Sequence, residues 1–290
     1  MFNGALSALV TPFRDGSVDE KALREIIEWQ IQKGIDGLLP CGSTGESATL
    51  THTEHERVIK VTIEQARRRV PVLAGTGSNS TAEAIRLTAA AREMGADGAV
   101  LISPYYNKPT QDGIFKHYKM IAESVDLPLI VYNIPGRTGS NIAPETFARL
   151  CEIKNIIGVK EASGSMDQTS DIIRLSGGKL TILSGDDSLT VPLMALGAKG
   201  VLSVVSNVMP RDTHELAAAG LADDFARARE LHYRMLPLVR ALFLEVNPIP
   251  VKQALAFMGK CTNEVRMPLV PMTAGNADKL RGAMRDLRLV

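Results

Sequence analysis

The chain has few cysteines and no pattern among them. Cys41, Cys151 and Cys261 are odd in number, far apart and without a CxxC pair. That argues against both a disulfide framework and a structural zinc site and fits a reducing, cytoplasmic setting. Net charge is almost absent: 33 basic against 32 acidic residues leave +1, so no overall field recruits nucleic acid or an anionic membrane surface. No apolar run approaches the roughly 18 residues of a membrane span. The opening MFNGALSALVTPF lacks a basic segment, so no targeting signal is read there. The five histidines are scattered, and His52 and His55 miss the HExxH spacing, so no metal is expected. Nucleotide motifs are missing as well. Residues 75–80, GTGSNS, lack a third glycine, and GSTGE at 42–46 has no GK[ST] ending. Small molecules are the expected partners.

What is present is a regular alternation. Up to about residue 207, the runs ALSALVTP, GIDGLLPCG, VPVLAGTG, GADGAVLISP, LPLIVYNIP, NIIGVKEAS, LTILSGDD and GAKGVLSVVS recur with helical patterns between them. Continuous apolar runs indicate strands covered on both faces, as in parallel sheets. Leu23, Ile26, Ile27 and Ile31 share one face of a helix that Gly34 closes. Thr53 with Glu56, and Ser80 with Glu83, have the spacing of capping boxes. Eight strand-helix units predict a (β/α)8 TIM barrel over residues 1–224, with an open doubly wound sheet the poorer fit. Leu-, Ala- and Met-rich stretches, interrupted by Asn247-Pro248-Ile249-Pro250, predict a small all-helical C-terminal region over 225–290.

In such barrels the reactive groups follow the strands, at the C-terminal face. Lys160 lies where the apolar run IIGVKEAS meets a Gly-Ser loop. An ammonium there is costly to desolvate, so its pKa should fall and leave some neutral amine to attack a carbonyl. The competing reading is a lysine that snorkels to water or pairs with Glu161. Other strand ends bring Thr11, Ser43 and Thr44, Tyr105 and Tyr106, Tyr132 and Arg137 towards the same rim. An amine, hydroxyls, phenols and a guanidinium suit an enzyme that handles a carbonyl acid. Tyr132 could pack at the barrel edge or shuttle protons through carbinolamine and imine. Ser43 and Thr44 could cap a turn, or, between glycines, expose N–H groups as a carboxylate nest. Arg137 is either a solvated loop residue or a fork for a second carboxylate. In extended chain Tyr105 and Tyr106 face opposite sides, one towards this pocket and one towards a neighbouring surface. Asp186 and Asp187 form a turn or bind a cation, and no catalytic role is assigned to them.

GSTGESATLTHTEH, PYYNKPTQDG, YNIPGRTG, IIGVKEASG, LSGDD and NPIPVK fall in order at barrel-loop positions. Together they resemble the dihydrodipicolinate synthase family, one of the pyruvate-dependent aldolases that also include N-acetylneuraminate lyase. The resemblance runs over essentially the whole chain. It implies that Lys160 forms an imine with pyruvate, without a separate cofactor. The derived enamine then attacks L-aspartate 4-semialdehyde in the diaminopimelate route to lysine. It further implies that Tyr132 transfers protons with Ser43 and Tyr106 in a hydroxyl relay, and that Thr44 and the backbone at Leu202 hold pyruvate. Gly185 would line the pocket, and Arg137 would bind the semialdehyde carboxylate. Tyr106 would reach a partner's active site in a homo-oligomer, a tetramer built as a dimer of dimers. Ser47, Ala48, His52, His55, Asn79, Glu83 and Tyr105 match an L-lysine feedback site. Ser43 stands where the family usually has threonine, which bears on turnover and not on reaction type. The alternatives are a sialic-acid or 2-keto-sugar-acid lyase, against which Arg137 argues, or a non-catalytic barrel that binds amino acids.

Overall fold

The computed structural model describes residues 2–290. Eight strands form one parallel sheet: β1 Gly4–Ala8, β2 Gly37–Leu39, β3 Leu73–Gly75, β4 Gly98–Ile102, β5 Leu129–Asn133, β6 Ile156–Glu161, β7 Thr181–Ser184 and β8 Gly200–Ser203. Their order is β2-β1-β8-β7-β6-β5-β4-β3, and a parallel bridge between Leu38 and Val72 joins the two ends. The sheet is therefore a closed barrel with no free edge. The helices that follow the strands are α1 Glu20–Gln32, α2 His52–Ala66, α3 Thr81–Met94, α4 Gln111–Ser124, α5 Pro144–Leu150, α6 Met166–Ser176, α7 Thr190–Ala195 and α8 Pro210–Leu221. Three more helices follow the barrel, α9 Phe225–Ala241, α10 Ile249–Phe257 and α11 Ala274–Asp286, and a single helical turn, Pro135–Thr138, lies after β5. None of the helices is long and apolar enough to cross a membrane.

Both faces of the strands are covered, which is why they read as unbroken apolar runs. Leu6, Ala8, Leu39, Leu73, Val100, Ile130, Tyr132, Leu183 and Leu202 pack together inside the barrel. The alternate residues, such as Leu101, Val131, Val159 and Ile182, pack outward in the layer shared with the helices. Burial of each such side chain contributes about 1.5–3 kcal/mol. Because parallel partners point to the same side, the register Ile102–Tyr132–Lys160–Leu183 sends Lys160 into the barrel.

Helix α1 follows its pattern, with Leu23, Ile26 and Ile27 buried and Ile31 half-buried. Gly34, at φ +88°, ends it: the Gly34 N–H donates to Ile31 O at 3.0 Å and the Ile35 N–H to Gln30 O at 3.2 Å, a Schellman motif. The capping box of α2 falls two residues earlier than the spacing of Thr53 and Glu56 predicts. Thr51 is the extended cap, and it exchanges hydrogen bonds with Glu54. Two overlapping T-x-x-E spacings compete here, and Glu56 instead accepts from Arg86 at 2.8 Å. At Ser80 half of the expected box forms. Its hydroxyl accepts from the Glu83 N–H, but the Glu83 carboxylate turns away to Ser78 and His52. The first βα connection also holds a hairpin that the strand pattern did not predict. Phe13–Arg14 pairs antiparallel with Ser17–Val18 around Asp15 and Gly16, both at positive φ, as an Asp-Gly type I′ turn requires.

Candidate active site

The mouth of the barrel opens into a cavity of about 480 Å³. At its deep end Lys160 is only 6% exposed. It forms no ion pair among the described residues, and its Nζ lies 4.2 Å from the centroid of the Tyr132 ring. Neither bland reading of this lysine survives: it does not reach open water, and Glu161 points to the opposite face. There Glu161 accepts from the Ser163 N–H at 2.7 Å and from Asn133 Nδ2 at 3.1 Å. Burial lowers the Lys160 pKa from 10.5 to about 8, opposed by the charge of Asp187 and reinforced by Arg137. At pH 7 that leaves about one amine in ten neutral, against a few in ten thousand for an ordinary lysine.

This shift gives a signed expectation. The rate at which Lys160 captures a 2-oxo acid, measured by rapid borohydride quenching, should rise about tenfold per pH unit below the amine pKa and level off above about 8. A rise continuing towards 10.5, the ordinary lysine value, would contradict the assignment.

Tyr132 is buried, and desolvation pushes its phenol up to about 12. It is therefore a neutral O–H donor at any working pH. Gly185 leaves room for the lysine: a Cβ there would lie 2.8 Å from Ala162 Cβ and 3.2 Å from Lys160 Cε. In the loop after β2, the N–H groups of Ser43 and Thr44 donate to no acceptor among the described residues, while Gly45 N–H and Glu46 N–H close the turn onto Gly42 and Ser43. Two consecutive free N–H groups in a turn are suited to serve as a nest for an anion. Thr44 Oγ1 accepts from Asn247 Nδ2 at 2.9 Å, which leaves its own O–H to donate. Arg137 lies on a single helical turn, Pro135–Thr138, and reaches the cavity with Nη2 donating to the carbonyl of Asn247 at 3.0 Å. An amine, a phenol, a nest and a guanidinium around one chamber can capture and deprotonate a 2-oxo acid and receive a second anionic reactant.

The outer end of the same cavity is lined by Ser47, Ala48, His52, His55, Glu83 and Tyr105. His52 Nε2 and Glu83 Oε1 are 2.9 Å apart. His55 is buried and its Nε2 meets the carbonyl of Gly75 at 2.9 Å. Asn79 does not line the space, but its Nδ2 donates to Tyr105 O at 3.2 Å. Thr44, Gly185 and Leu202 stand behind the wall, with Leu202 inside the barrel core. Tyr106 points away. It is 89% exposed and its φ of +69° departs from the extended chain expected, so the two tyrosines diverge through a left-handed kink. Thr11 does not join the rim; its hydroxyl is buried and donates to Gly45 O at 2.7 Å. Asp186 caps a turn, and Asp187 is buried, accepting from the N–H groups of Val204 and Val205 at 2.9 Å each. Among the described residues no group of three or more His, Cys, Asp or Glu is placed to hold a metal ion. Sequence reasoning gave no site role to Asn247, which touches both Thr44 and Arg137. The NPIPVK block was its only signal.

Residues 1–287 match the model of the dihydrodipicolinate synthetase family. The chain belongs to this family. A 4-hydroxy-tetrahydrodipicolinate synthase of Syntrophus aciditrophicus is 57% identical over 290 residues, covering all of both chains. A dihydrodipicolinate synthase structure from Acinetobacter baumannii, complexed with pyruvate, is 45% identical over the whole of both chains at a TM-score of 0.98. The enzyme from Cyanidioschyzon merolae, with lysine bound, is 39% identical, covers 100% of this chain and 99% of its own, and superposes at 0.97.

Proposed function

We propose that the protein is a 4-hydroxy-tetrahydrodipicolinate synthase, a lyase of the Schiff-base type acting in the cytoplasm. The observation that carries this is the buried, unpaired amine of Lys160 against the Tyr132 ring. Lys160 Nζ attacks C2 of pyruvate to give a carbinolamine. Tyr132, a neutral phenol whose pKa burial raises further, protonates the departing hydroxyl, water leaves, and the imine forms. Loss of a methyl proton gives the enamine, whose carbon adds to the aldehyde of L-aspartate 4-semialdehyde. The amino group of that substrate then attacks the imine carbon, closing the ring and releasing Lys160. No separate cofactor is needed.

In this reading the Ser43–Thr44 nest holds the pyruvate carboxylate, with the backbone at Leu202 beside it and Gly185 giving clearance. Arg137 takes the semialdehyde carboxylate. Ser43 and Tyr106 complete the proton relay. Tyr106, turned out of its own cavity, enters the site of a second copy in a dimer that pairs into a tetramer. Residues 1–224 are the catalytic barrel and 225–290 its helical buttress.

A coupled assay offering pyruvate with aspartate semialdehyde, beside sialic-acid and 2-keto-sugar-acid substrates, tests the assignment. Turnover is expected with the semialdehyde, and turnover confined to a sugar acid would defeat it. Ser47, Ala48, His52, His55, Asn79, Glu83 and Tyr105 form the site of an L-lysine inhibitor, whose ammonium and carboxylate suit the Glu83 carboxylate and the imidazoles. Millimolar L-lysine should lower the condensation rate, and an unchanged rate would remove this part of the proposal.

A further inference from the structure

Glu46 and Lys252 are 206 residues apart in sequence, yet their side chains meet at 2.7 Å with exposures of 1% and 0%. The second carboxylate oxygen of Glu46 accepts from the Arg266 N–H at 3.0 Å. The ammonium of Lys252 lies 4.1 Å from the Phe13 ring centroid. Removing two charges from water is costly, and an apolar pair of similar volume commonly serves stability as well or better. The pair therefore calls for a role other than stability.

The backbone of Glu46 indicates which. At φ +51° it is a left-handed, non-glycine residue, a conformation that persists only where its surroundings impose it. Its N–H donates to Ser43 O at 3.2 Å, and its carbonyl accepts from the Thr49 N–H at 3.0 Å and from the Thr49 hydroxyl at 3.1 Å. One residue thus closes the turn that carries the Ser43–Thr44 nest at the deep end and the turn that carries Ser47–Thr49 at the outer end. Lys252 lies on α10, five residues after Asn247, which holds Thr44 and Arg137.

We infer that the buried Glu46–Lys252 pair is a positioning device that fixes the segment 43–49 on helix α10, so that the pyruvate nest and the outer amino-acid site move as one. Glu46 borders the cavity, but both of its carboxylate oxygens are taken, one by Lys252 and one by the Arg266 N–H, so the pair acts through the loop it holds. The inference rests on the function proposed above, and a parent enzyme that fails to condense pyruvate with the semialdehyde refutes that function and, with it, the inference.

The test uses the full-length double variant Glu46→Leu/Lys252→Met, which removes both charges together and so avoids leaving one buried alone. Glu46→Gln is the second variant. The folded double variant should show a pyruvate KM raised and a kcat lowered by about 10- to 100-fold, as for a misplaced catalytic loop. The L-lysine concentration for half-inhibition should rise about tenfold, while the semialdehyde KM stays within about twofold. Thermal melting should stay near that of the parent. The inference is overturned if pyruvate KM, kcat and lysine response all match the parent within about twofold. It is equally overturned if the whole loss reflects a smaller folded fraction, or if neither variant folds.

Discussion

Replacing Lys160 by alanine should lower turnover by about 10⁴-fold or more, as removal of a covalent nucleophile does. The expected loss is this large because no second amine is available. Lys252 is engaged with Glu46 behind the loop, and the cavity lining contains no other lysine. The variant should still fold. Lys160 stands at the top of β6 in no ion pair among the described residues, and the buried Asp187 whose charge it feels keeps the N–H groups of Val204 and Val205 after truncation, so loss of the amine leaves no carboxylate without a partner. Circular dichroism and melting would therefore resemble the parent while activity disappears. Activity persisting within about tenfold would mean that the chemistry does not pass through this nitrogen.

Tyr132→Phe is the second large effect. The substitution keeps the ring that packs inside the barrel and lies 4.2 Å from the lysine nitrogen, so fold and lysine placement should be preserved. It removes the phenol beside Lys160, whose pKa burial raises further, to about 12. Loss of a general acid-base group costs about 10²- to 10⁴-fold in kcat. The pyruvate KM should change little, because the nest proposed to hold pyruvate is made of backbone N–H groups in the loop 43–44. Steady-state kinetics on the purified variant checks both. A raised KM with intact kcat would reassign Tyr132 to binding.

The barrel was legible because its strands are covered on both faces and so read as continuous apolar runs, each ended by loop residues. Lys160 stood out for a physical reason: a cation on such a strand conflicts with its surroundings, and conflicts of that kind mark function. The outer residues, His52 and Glu83 among them, were readable as a group only through resemblance, since they come from a 3₁₀ turn, two helices and two loops and no local spacing links them. What escaped was set by tertiary contact. Thr11 ends a strand as the other rim residues do, but the loop after β2 folds over it and takes its hydroxyl. Thr51 won the cap from Thr53 because the preceding 3₁₀ turn, Ser47–Thr49, ends just before it and leaves it extended. Asn247 and Lys252 belong to a stretch whose pattern reports only helix packing, and their partners lie about 200 residues earlier. Ion pairs and amide contacts across such separations leave no periodicity to read.

The most direct measurement is borohydride reduction of the protein in the presence of pyruvate, followed by peptide mass spectrometry. A single reduced pyruvate adduct on the peptide containing Lys160, absent without pyruvate and absent in Lys160→Ala, is the predicted result. An unmodified Lys160 peptide, or an adduct on another lysine, would contradict the account.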